Sequence, residues 1–201
     1  MKKIILAFTV LGIATIAKAQ FTFGPKAGIN SSKETAFFDN PRNSRTRFYL
    51  GAFMNFKLSK SFSIGPEFIY SAEGSTYIYS GDSTGHTKTS YFLLPLLVRY
   101  TTQAGLYAET AIELRQKLNY YNIQGSLKVS NPYVRSTGFD WCFGIGYNAD
   151  KIAKGLGINA RYITGLNGLE KKGLGNTYTY IRVIELGLIY SIEVKQKKEQ
   201  H

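Results

Sequence analysis

The chain has 201 residues, with 25 Lys and Arg against 13 Asp and Glu, one Cys and 15 Tyr. A single cysteine excludes an internal disulfide framework, and beyond the N terminus no apolar run approaches the ~18 residues of a membrane-spanning helix. The length is that of one domain, whose stability must come from something other than disulfides or apolar helices.

The first nineteen residues have the pattern of a secretory signal peptide. Lys2 and Lys3 precede an apolar run, and an Ala-x-Ala cleavage pattern ends at Ala19. We therefore expect export by the general secretory pathway and a mature chain that begins at Gln20, with no lipid anchor because no Cys follows. Removing three lysines with this segment leaves a net charge of +9. Export also argues against nucleic acid as the partner of this basic, tyrosine-rich chain.

The stretch from Phe48 to Gly74 predicts a β-hairpin. Every second residue from Phe48 to Leu58 is apolar, which is the period of a strand, and the residues between them include glycine, asparagine and lysine. A short polar turn follows at Ser59 to Ser61, and the alternation resumes at Phe62. The hairpin thus has one apolar face and one face that carries glycine and charge.

The same pattern recurs along the chain. Eight segments of roughly ten residues, the length with which a tilted strand crosses a membrane, are predicted as strands: Phe21 to Ser31, Phe48 to Leu58, Phe62 to Ser71, Ser90 to Thr101, Gly105 to Gln116, Thr137 to Asn148, Leu156 to Tyr162 and Tyr180 to Glu193.

Long and short connections alternate between these strands. The long ones are Ser32 to Arg47, Glu73 to Thr89, Lys117 to Ser136, in which Tyr120 to Val129 can prolong the strands, and Thr164 to Thr179. Outer-membrane barrels have this asymmetry, with short turns in the periplasm and longer loops outside. The sequence therefore predicts an eight-stranded antiparallel up-and-down transmembrane β-barrel over residues 20–193. A short basic periplasmic tail is predicted over residues 194–201.

The polar face of the strands decides which side is inside. A soluble lipocalin-like carrier would show the same alternation, with its apolar face lining a ligand cavity. Here nine glycines lie on the polar face and none on the apolar face. Glycine weakens an exposed strand, but in a narrow bore it leaves room for long charged side chains. We expect the apolar face to contact lipid, with a soluble periplasmic carrier of an apolar ligand as the alternative.

Both signs of charge occur on the polar face, which suits a sealed interior because buried charges need partners. The expected interior charge network consists of Lys26, Glu67, Arg99, Glu109, Glu113, Arg115, Asp140, Arg161 and Glu185. The apolar face has no charge except Arg182 at a strand end. Two features do not fit: Phe53, Leu93 and Leu97 lie on the inward face, and Pro25, Pro66 and Pro95 interrupt strands, where we expect bulges.

Five segments resemble the PorT-like outer-membrane β-barrel family of Bacteroidota. They are GPKAGIN (Gly24 to Asn30), SIGPEFIYSAEGS (Ser63 to Ser75), YFLLPLLVRY (Tyr91 to Tyr100), DWCFGIGYNAD (Asp140 to Asp150) and INARYITGLNGL (Ile158 to Leu169). The resemblance spans nearly the whole mature chain and implies an integral barrel; the founding member is associated with protein secretion, and most relatives have no assigned activity. Gly187, Tyr190 and Ile192 look like the C-terminal signal read by the barrel-assembly machinery, although a tail follows them.

The sequence favours a non-enzymatic barrel over an enzyme. His86, Asp82 and Ser83 could form the trio of a barrel-embedded lipid hydrolase, but such hydrolases carry His-x-Ser on a strand, and here Thr87 and Lys88 follow the histidine. Glu109 and Glu113 share a face and are expected to be structural, and Cys142 to be a small filler. The only other histidine is His201, so no metal spacing exists and neither metal nor cofactor is expected.

We expect a non-enzymatic outer-membrane protein with a structural, adhesive or secretion-accessory role through its external loops. These loops carry eleven basic residues: Lys33, Arg42, Arg45, Arg47, Lys88, Lys117, Lys128, Arg135, Lys171, Lys172 and Arg182. Such residues suit the phosphates of lipopolysaccharide, and equally an ordinary solvated surface. The expected partners are outer-membrane lipid and lipopolysaccharide, the barrel-assembly machinery during insertion, and a secretion-system or envelope protein.

Overall fold

The computed structural model describes residues 21–36, 42–80, 83–130, 134–150, 152–169 and 179–194. The predicted signal peptide, its cleavage point and the tail after Val194 lie outside these residues. Eleven strands form within them: β1 (Phe21–Ala36), β2 (Asn43–Lys57), β3 (Phe62–Glu73), β4 (Ser75–Ser80), β5 (Ser83–Thr101), β6 (Leu106–Gln124), β7 (Leu127–Ser130), β8 (Thr137–Asn148), β9 (Leu156–Gly165), β10 (Thr179–Tyr190) and β11 (Ile192–Val194). The described part of the chain contains no helix long and apolar enough to cross a membrane.

Eight of the strands close into a ring. Each of β1, β2, β3, β5, β6, β8, β9 and β10 pairs antiparallel with the next, and β1 pairs with both β2 and β10. The predicted eight-stranded up-and-down architecture is therefore confirmed. The three remaining strands, β4, β7 and β11, are short and pair beyond the ends of the ring.

The stagger of the ring fixes the tilt of its strands. A row of paired residues that leaves β1 at Phe21 passes through every strand of the ring and returns to β1 at Ser31, ten residues further on. With eight strands about 4.8 Å apart and a rise of about 3.3 Å per residue, this stagger corresponds to a tilt of about 40°. Ten residues then span about 25 Å, the height of the apolar band of a membrane barrel.

The strands turn their apolar face outward. On β1, Ile29 is 52 % exposed while the next residue, Asn30, is 1 % exposed, and the same alternation follows the other strands of the ring. The outward side chains include Leu50, Leu96, Ile112, Ile145 and Leu188. We refer to this zone, which runs from Phe23 to Ile29 on β1 and from Phe92 to Tyr100 on β5, as the apolar band.

The strands continue beyond the band where the sequence predicts loops. The prediction of a loop over Ser32 to Arg47 is wrong for the described residues, because β1 runs to Ala36 and β2 starts at Asn43. Glu73 to Thr89 is wrong as well, since β4 and the first residues of β5 form a hairpin there. The prolongation over Tyr120 to Val129 is confirmed by β6 and β7. The predicted connection over Thr164 to Thr179 lies largely outside the described residues.

The prolines do not produce the predicted bulges. The β2–β3 pairs on the two sides of Pro66, Phe53 with Glu67 and Phe56 with Ile64, keep one register, and Pro25 and Pro95 are paired in register with Ala52 and Glu113. Proline has no backbone N–H, so the ladder simply lacks one hydrogen bond at its position. The neighbouring pairs keep their register, and no extra residue has to be inserted. The register shift in the ring lies at Leu118, which the β5–β6 pairing skips.

Candidate functional site

The predicted interior residues point into the bore, where all of them except Glu185 belong to two ion-pair networks. Arg161 on β9 is the centre of the lower network. Its two terminal nitrogens contact both oxygens of Glu67 at 2.6 and 2.8 Å, and its Nε donates to Glu109 Oε1 at 2.6 Å. Because β9 and β3 are four strands apart in a ring of eight, the Arg161–Glu67 pair joins opposite walls. The bore is thus bridged by charged side chains in its middle.

Two further cations complete the lower network. Lys26 Nζ lies 3.0 Å from Glu67 Oε2, and Arg99 donates through Nε and Nη2 to Glu109 Oε2 at 2.9 and 2.8 Å. Arg99 also stacks 4.1 Å from the centre of the Tyr107 ring. Each carboxylate therefore contacts two cations, and all members are at least nine-tenths buried. This matches the requirement that buried charge be paired and hydrogen-bonded.

The upper network centres on a single arginine side chain. Arg115 on β6 contacts Asp140 through Nε at 2.5 Å and both oxygens of Glu73 through Nη1 at 2.8 Å, and its Nη2 lies 3.6 Å from Glu113. Glu73 was not among the predicted members, because the sequence placed it at the start of a loop. The Tyr91 ring lies 4.5 Å from the Arg115 guanidinium. Three carboxylates thus share one arginine.

Glu185 stands apart from its predicted partners. It is 1 % exposed and pairs across the β9–β10 ladder with Arg161, yet its carboxylate accepts no hydrogen bond from any residue the structure describes. Leu93 and Leu97, which did not fit the polar pattern, pack in the bore against Ala111 and Cys142. The interior is therefore layered, with charged groups above and below an apolar cluster.

Glycines on the inward face make room for this network, as the sequence suggested. A Cβ on Gly144 would lie 2.9 Å from Arg161 Cγ and 2.9 Å from Glu109 Oε1, and a Cβ on Gly187 would collide with the Tyr49 hydroxyl. These two sites show why glycine is needed: neighbouring strands carry side chains too long to share the bore with another.

Beyond the band the strands form a polar sheet, which we call the external sheet: residues 43–47 of β2, β4, 83–90 of β5, 117–124 of β6, and β7. Lys88 and Lys128 are exposed on it. Below it, Lys33 and Arg182 are directly opposite on β1 and β10 and both exposed, just past Ile29 and Ile184. Two like charges in this position repel each other unless an anion lies between them.

Other predicted loop cations turn inward. Arg42 forms an ion pair with Glu34, which also accepts hydrogen bonds from Tyr120 at 3.1 Å and Thr87 at 3.2 Å. Arg45 donates to the Thr87 carbonyl at 3.3 Å and Lys117 to the Val134 carbonyl at 2.6 Å. Lys171 and Lys172 lie outside the described residues. The outward basic surface is therefore smaller than the count of loop cations suggests.

The sequence profile of the outer membrane protein β-barrel domain family matches residues 16–170, which is more than half of the chain. The chain belongs to this family. Among solved structures, Neisserial surface protein A (NspA) has a TM-score of 0.51 and 11 % identity over 85 % of this chain and 96 % of that one. Ail of Yersinia pestis, in complex with the heparin analogue sucrose octasulfate, has a TM-score of 0.52 and 12 % identity over 86 % and 99 %. At this identity both show a shared fold, and no curated protein matches.

Membership of this family places the barrel in the outer membrane, with the apolar band in lipid. In such barrels the short turns face the periplasm, so the end with the turns after β2, β5 and β8 is the periplasmic end. The residues predicted to form an assembly signal lie near this end: Tyr190 and Ile192 are exposed, and Gly187 faces the bore. The soluble carrier is not favoured, because it needs the apolar face inside.

The hydrolase trio does not assemble in the described residues. Ser83 and His86 are three residues apart on β5, so their side chains leave opposite faces of the strand. Burial, followed by the positive charges of Arg45, Lys88 and Arg47, lowers the pKa of His86 below its ordinary value. Asp82 lies outside the described residues, within which no group of three His, Cys, Asp or Glu could hold a metal ion.

Proposed function

We propose that the protein is a non-enzymatic element of the outer-membrane surface, which acts on anionic glycan through its external sheet and on lipopolysaccharide through the pair Lys33 and Arg182 below that sheet. One observation carries this proposal. The bore is crossed by ion pairs between opposite walls, while the strands continue past the band and end in a polar sheet that presents cations outward. A filled bore does not favour solute passage, so we assign this function to the external surface.

Lipopolysaccharide is the first partner that this surface suits. Lys33 and Arg182 lie at the upper edge of the band, where the phosphates of the lipid headgroups lie, and they face outward on paired strands. A phosphate between them would form charge-assisted hydrogen bonds with both and remove their mutual repulsion. The outward direction of the two side chains places them toward lipid rather than toward the bore.

An adhesive role is supported by the same chemistry. The Ail structure contains a sulfated saccharide analogue of heparin, and the external sheet here presents Lys88 and Lys128 beside the aromatic ring of Tyr121, 3.9 Å from the Lys128 ammonium. Cations next to an aromatic face suit a sulfated or phosphorylated sugar. We therefore include anionic glycans on other cells among the proposed ligands.

Within its family, we place the chain with the PorT-like barrels of Bacteroidota, on the five segments that resemble them. That assignment supports a secretion-accessory role, in which the external sheet or the periplasmic end would contact another envelope protein. The two roles differ in their ligand: an adhesive surface binds glycan as a purified protein, whereas a secretion accessory is recovered crosslinked to a protein.

The location is tested first, on envelopes washed with carbonate. We expect the protein to stay with the membrane and to migrate faster on a semi-native gel before boiling than after, as a closed barrel does. The ligand is tested with purified protein and lipopolysaccharide. Lys33→Gln with Arg182→Gln should weaken binding at least about tenfold, since even one hydrogen bond to a charged group contributes about 1.5–3 kcal/mol. Lys60→Gln at the periplasmic end is the control, and equal loss in the control would reject the site.

A further inference from the structure

The periplasmic end of the barrel opens into a cavity of about 350 Å³, which we call the vestibule. Its walls come from the ends of β1, β2, β3 and β5, the turn between β8 and β9, and the junction of β10 and β11. Phe53 and Arg99, both buried, line its inner end, and Arg99 also belongs to the lower ion-pair network. The volume lies within the range of about 300–1,000 Å³ that is usual for small-molecule sites.

The charge of the vestibule is positive. Four cations line it, Arg99, Lys57, Lys60 and Lys154, against the acidic Asp150 and Glu193, and the charge of Arg99 is already balanced by Glu109 of the lower network. Both acidic side chains are already engaged: Asp150 accepts a hydrogen bond from the Gly155 amide at 2.8 Å, and Glu193 lies 3.7 Å from Lys57. Among the described residues Lys60 and Lys154 form no ion pair.

The neutral part of the wall is suited to a sugar. Six hydroxyl side chains line the cavity: Thr22, Ser59, Ser61, Ser63, Thr101 and Ser191. Two asparagines, Asn55 and Asn148, add amide donors and acceptors. The ring of Phe53 at the inner end supplies an apolar face. Hydroxyls, amides and an aromatic face together match the alternating O–H and C–H surfaces of a saccharide ring.

We propose that the vestibule binds an anionic saccharide from the periplasm, with the negative group between Lys60 and Lys154 and the sugar ring against Phe53. Carboxylate is the charge that we assign, since it accepts hydrogen bonds from ammonium groups and from hydroxyls alike. Saccharides of this class that reach the periplasmic face of the barrel include those of the cell wall. The site lies at the opposite end of the barrel from the external sheet and does not depend on the proposed function.

The test uses the full chain in detergent micelles and three probes. Glucuronic acid and glucose differ at C6, where one has a carboxylate and the other a hydroxymethyl group, and inorganic phosphate is an anion without a sugar. Isothermal titration or NMR shifts of the vestibule residues measure the affinities. We expect glucuronic acid to bind at least about tenfold more tightly than glucose, the ratio that one charged hydrogen bond supplies. It should also bind more tightly than phosphate, which lacks the sugar contacts.

Two variants with the same loss of charge locate the site. Lys60→Gln with Lys154→Gln should weaken glucuronic acid binding about tenfold, whereas Lys33→Gln with Arg182→Gln should leave it unchanged, because these residues lie at the other end. Phosphate that binds as tightly as glucuronic acid would overturn the saccharide assignment. Glucose that binds as tightly would overturn the role of the lysines, and an absence of binding by every probe would reject the site.

Discussion

β5 and β6 each run from the apolar band into the external sheet, and the sequence of each strand changes where it leaves the band. From Phe92 to Tyr100 the outward residues of β5 are apolar and contact lipid, and the inward ones fill the bore. From Gly85 to Thr89 burial still alternates, with Thr87 buried and Lys88 exposed, but both faces are polar. Apolar and polar residues therefore alternate along a strand only where one face contacts lipid and the other faces the polar bore. On the external sheet the outer face contacts water instead of lipid, so this alternation is absent.

The bore and the external sheet also differ in the surroundings of their charged side chains. Inside the band each cation is held by a carboxylate within hydrogen-bond distance, and the bridged walls cannot separate without exposing those charges to lipid. Outside it, Lys88 and Lys128 are exposed, and water screens them. Substitutions that are equal in chemistry should therefore differ in cost between the two regions.

The largest expected effect is the loss of the upper cation. Arg115→Met should lower the free energy of unfolding by about 3–5 kcal/mol, because a buried ion pair that loses one partner leaves an uncompensated charge. Here Glu73, Asp140 and Glu113 lose the cation they share. Urea unfolding in micelles, followed by the fluorescence of the single tryptophan, measures the change.

Arg161→Met is the informative comparison for that variant. It should cost less, since Glu67 keeps Lys26 and Glu109 keeps Arg99. Arg182→Met, on the outer face above the band, should change stability by no more than about 0.5 kcal/mol. If all three arginines cost the same, the ion pairs contribute nothing specific to the stability of the bore.

A charge on the outer face separates the two regions directly. Leu96 and Val129 are similarly exposed, at 54 % and 58 %, but Leu96 lies in the middle of the band and Val129 on the external sheet. Leu96→Arg should destabilise the barrel in lipid by ~2–4 kcal/mol, and Val129→Arg by no more than about 0.5 kcal/mol. Unfolding from lipid vesicles measures both, and equal costs would contradict the assignment of the band to lipid.

Overpacking of the bore should have a smaller effect. Gly187→Ala puts a methyl group against the Tyr49 hydroxyl, which should cost about 1–3 kcal/mol. Adding Tyr49→Phe should recover part of that loss, because it removes the nearest atom. Gly138→Ala is the control, since a Cβ there has no neighbour within 4 Å. A recovery of zero would show that the hydroxyl is not the obstacle.

The sequence correctly predicts the strand segments that have one face in contact with lipid. The alternation of apolar and polar residues correctly predicts the turns at 59–61 and 102–104 and the bounds of β8. It does so because a strand with lipid on one side and charged groups on the other can pair in only one register. The membership of Lys26, Glu67 and Arg161 in the bore follows from parity alone. Their partners do not, because Glu67 and Arg161 are 94 residues apart in the chain and meet only when the ring closes.

The extra strands beyond the band were missed for the same physical reason. Ser32 to Ala36, Asn43 to Arg47 and Ser83 to Thr89 are rich in residues that favour loops, and no apolar alternation marks them. Their ladders form because the neighbouring strand already runs past the band and offers its backbone. The vestibule was missed too, since its lining comes from turns that contribute one or two residues each.

The smallest expected effect is a titration on the external sheet. Burial and then the charges of Arg45, Lys88 and Arg47 lower the pKa of His86 below its ordinary value of 6.5, so the folded state favours the neutral ring. Its contribution to stability is then present above pH 6.5 and is lost as the pH falls through the lowered value.

The imidazole proton resonances of His86 should titrate below pH 6.5, and Arg45→Gln or Lys88→Gln should move the midpoint toward that value. Salt should do the same in part only, because it screens the three cations but leaves the burial unchanged. A midpoint that ignores both variants and salt would show that the cations of the external sheet do not act together on His86.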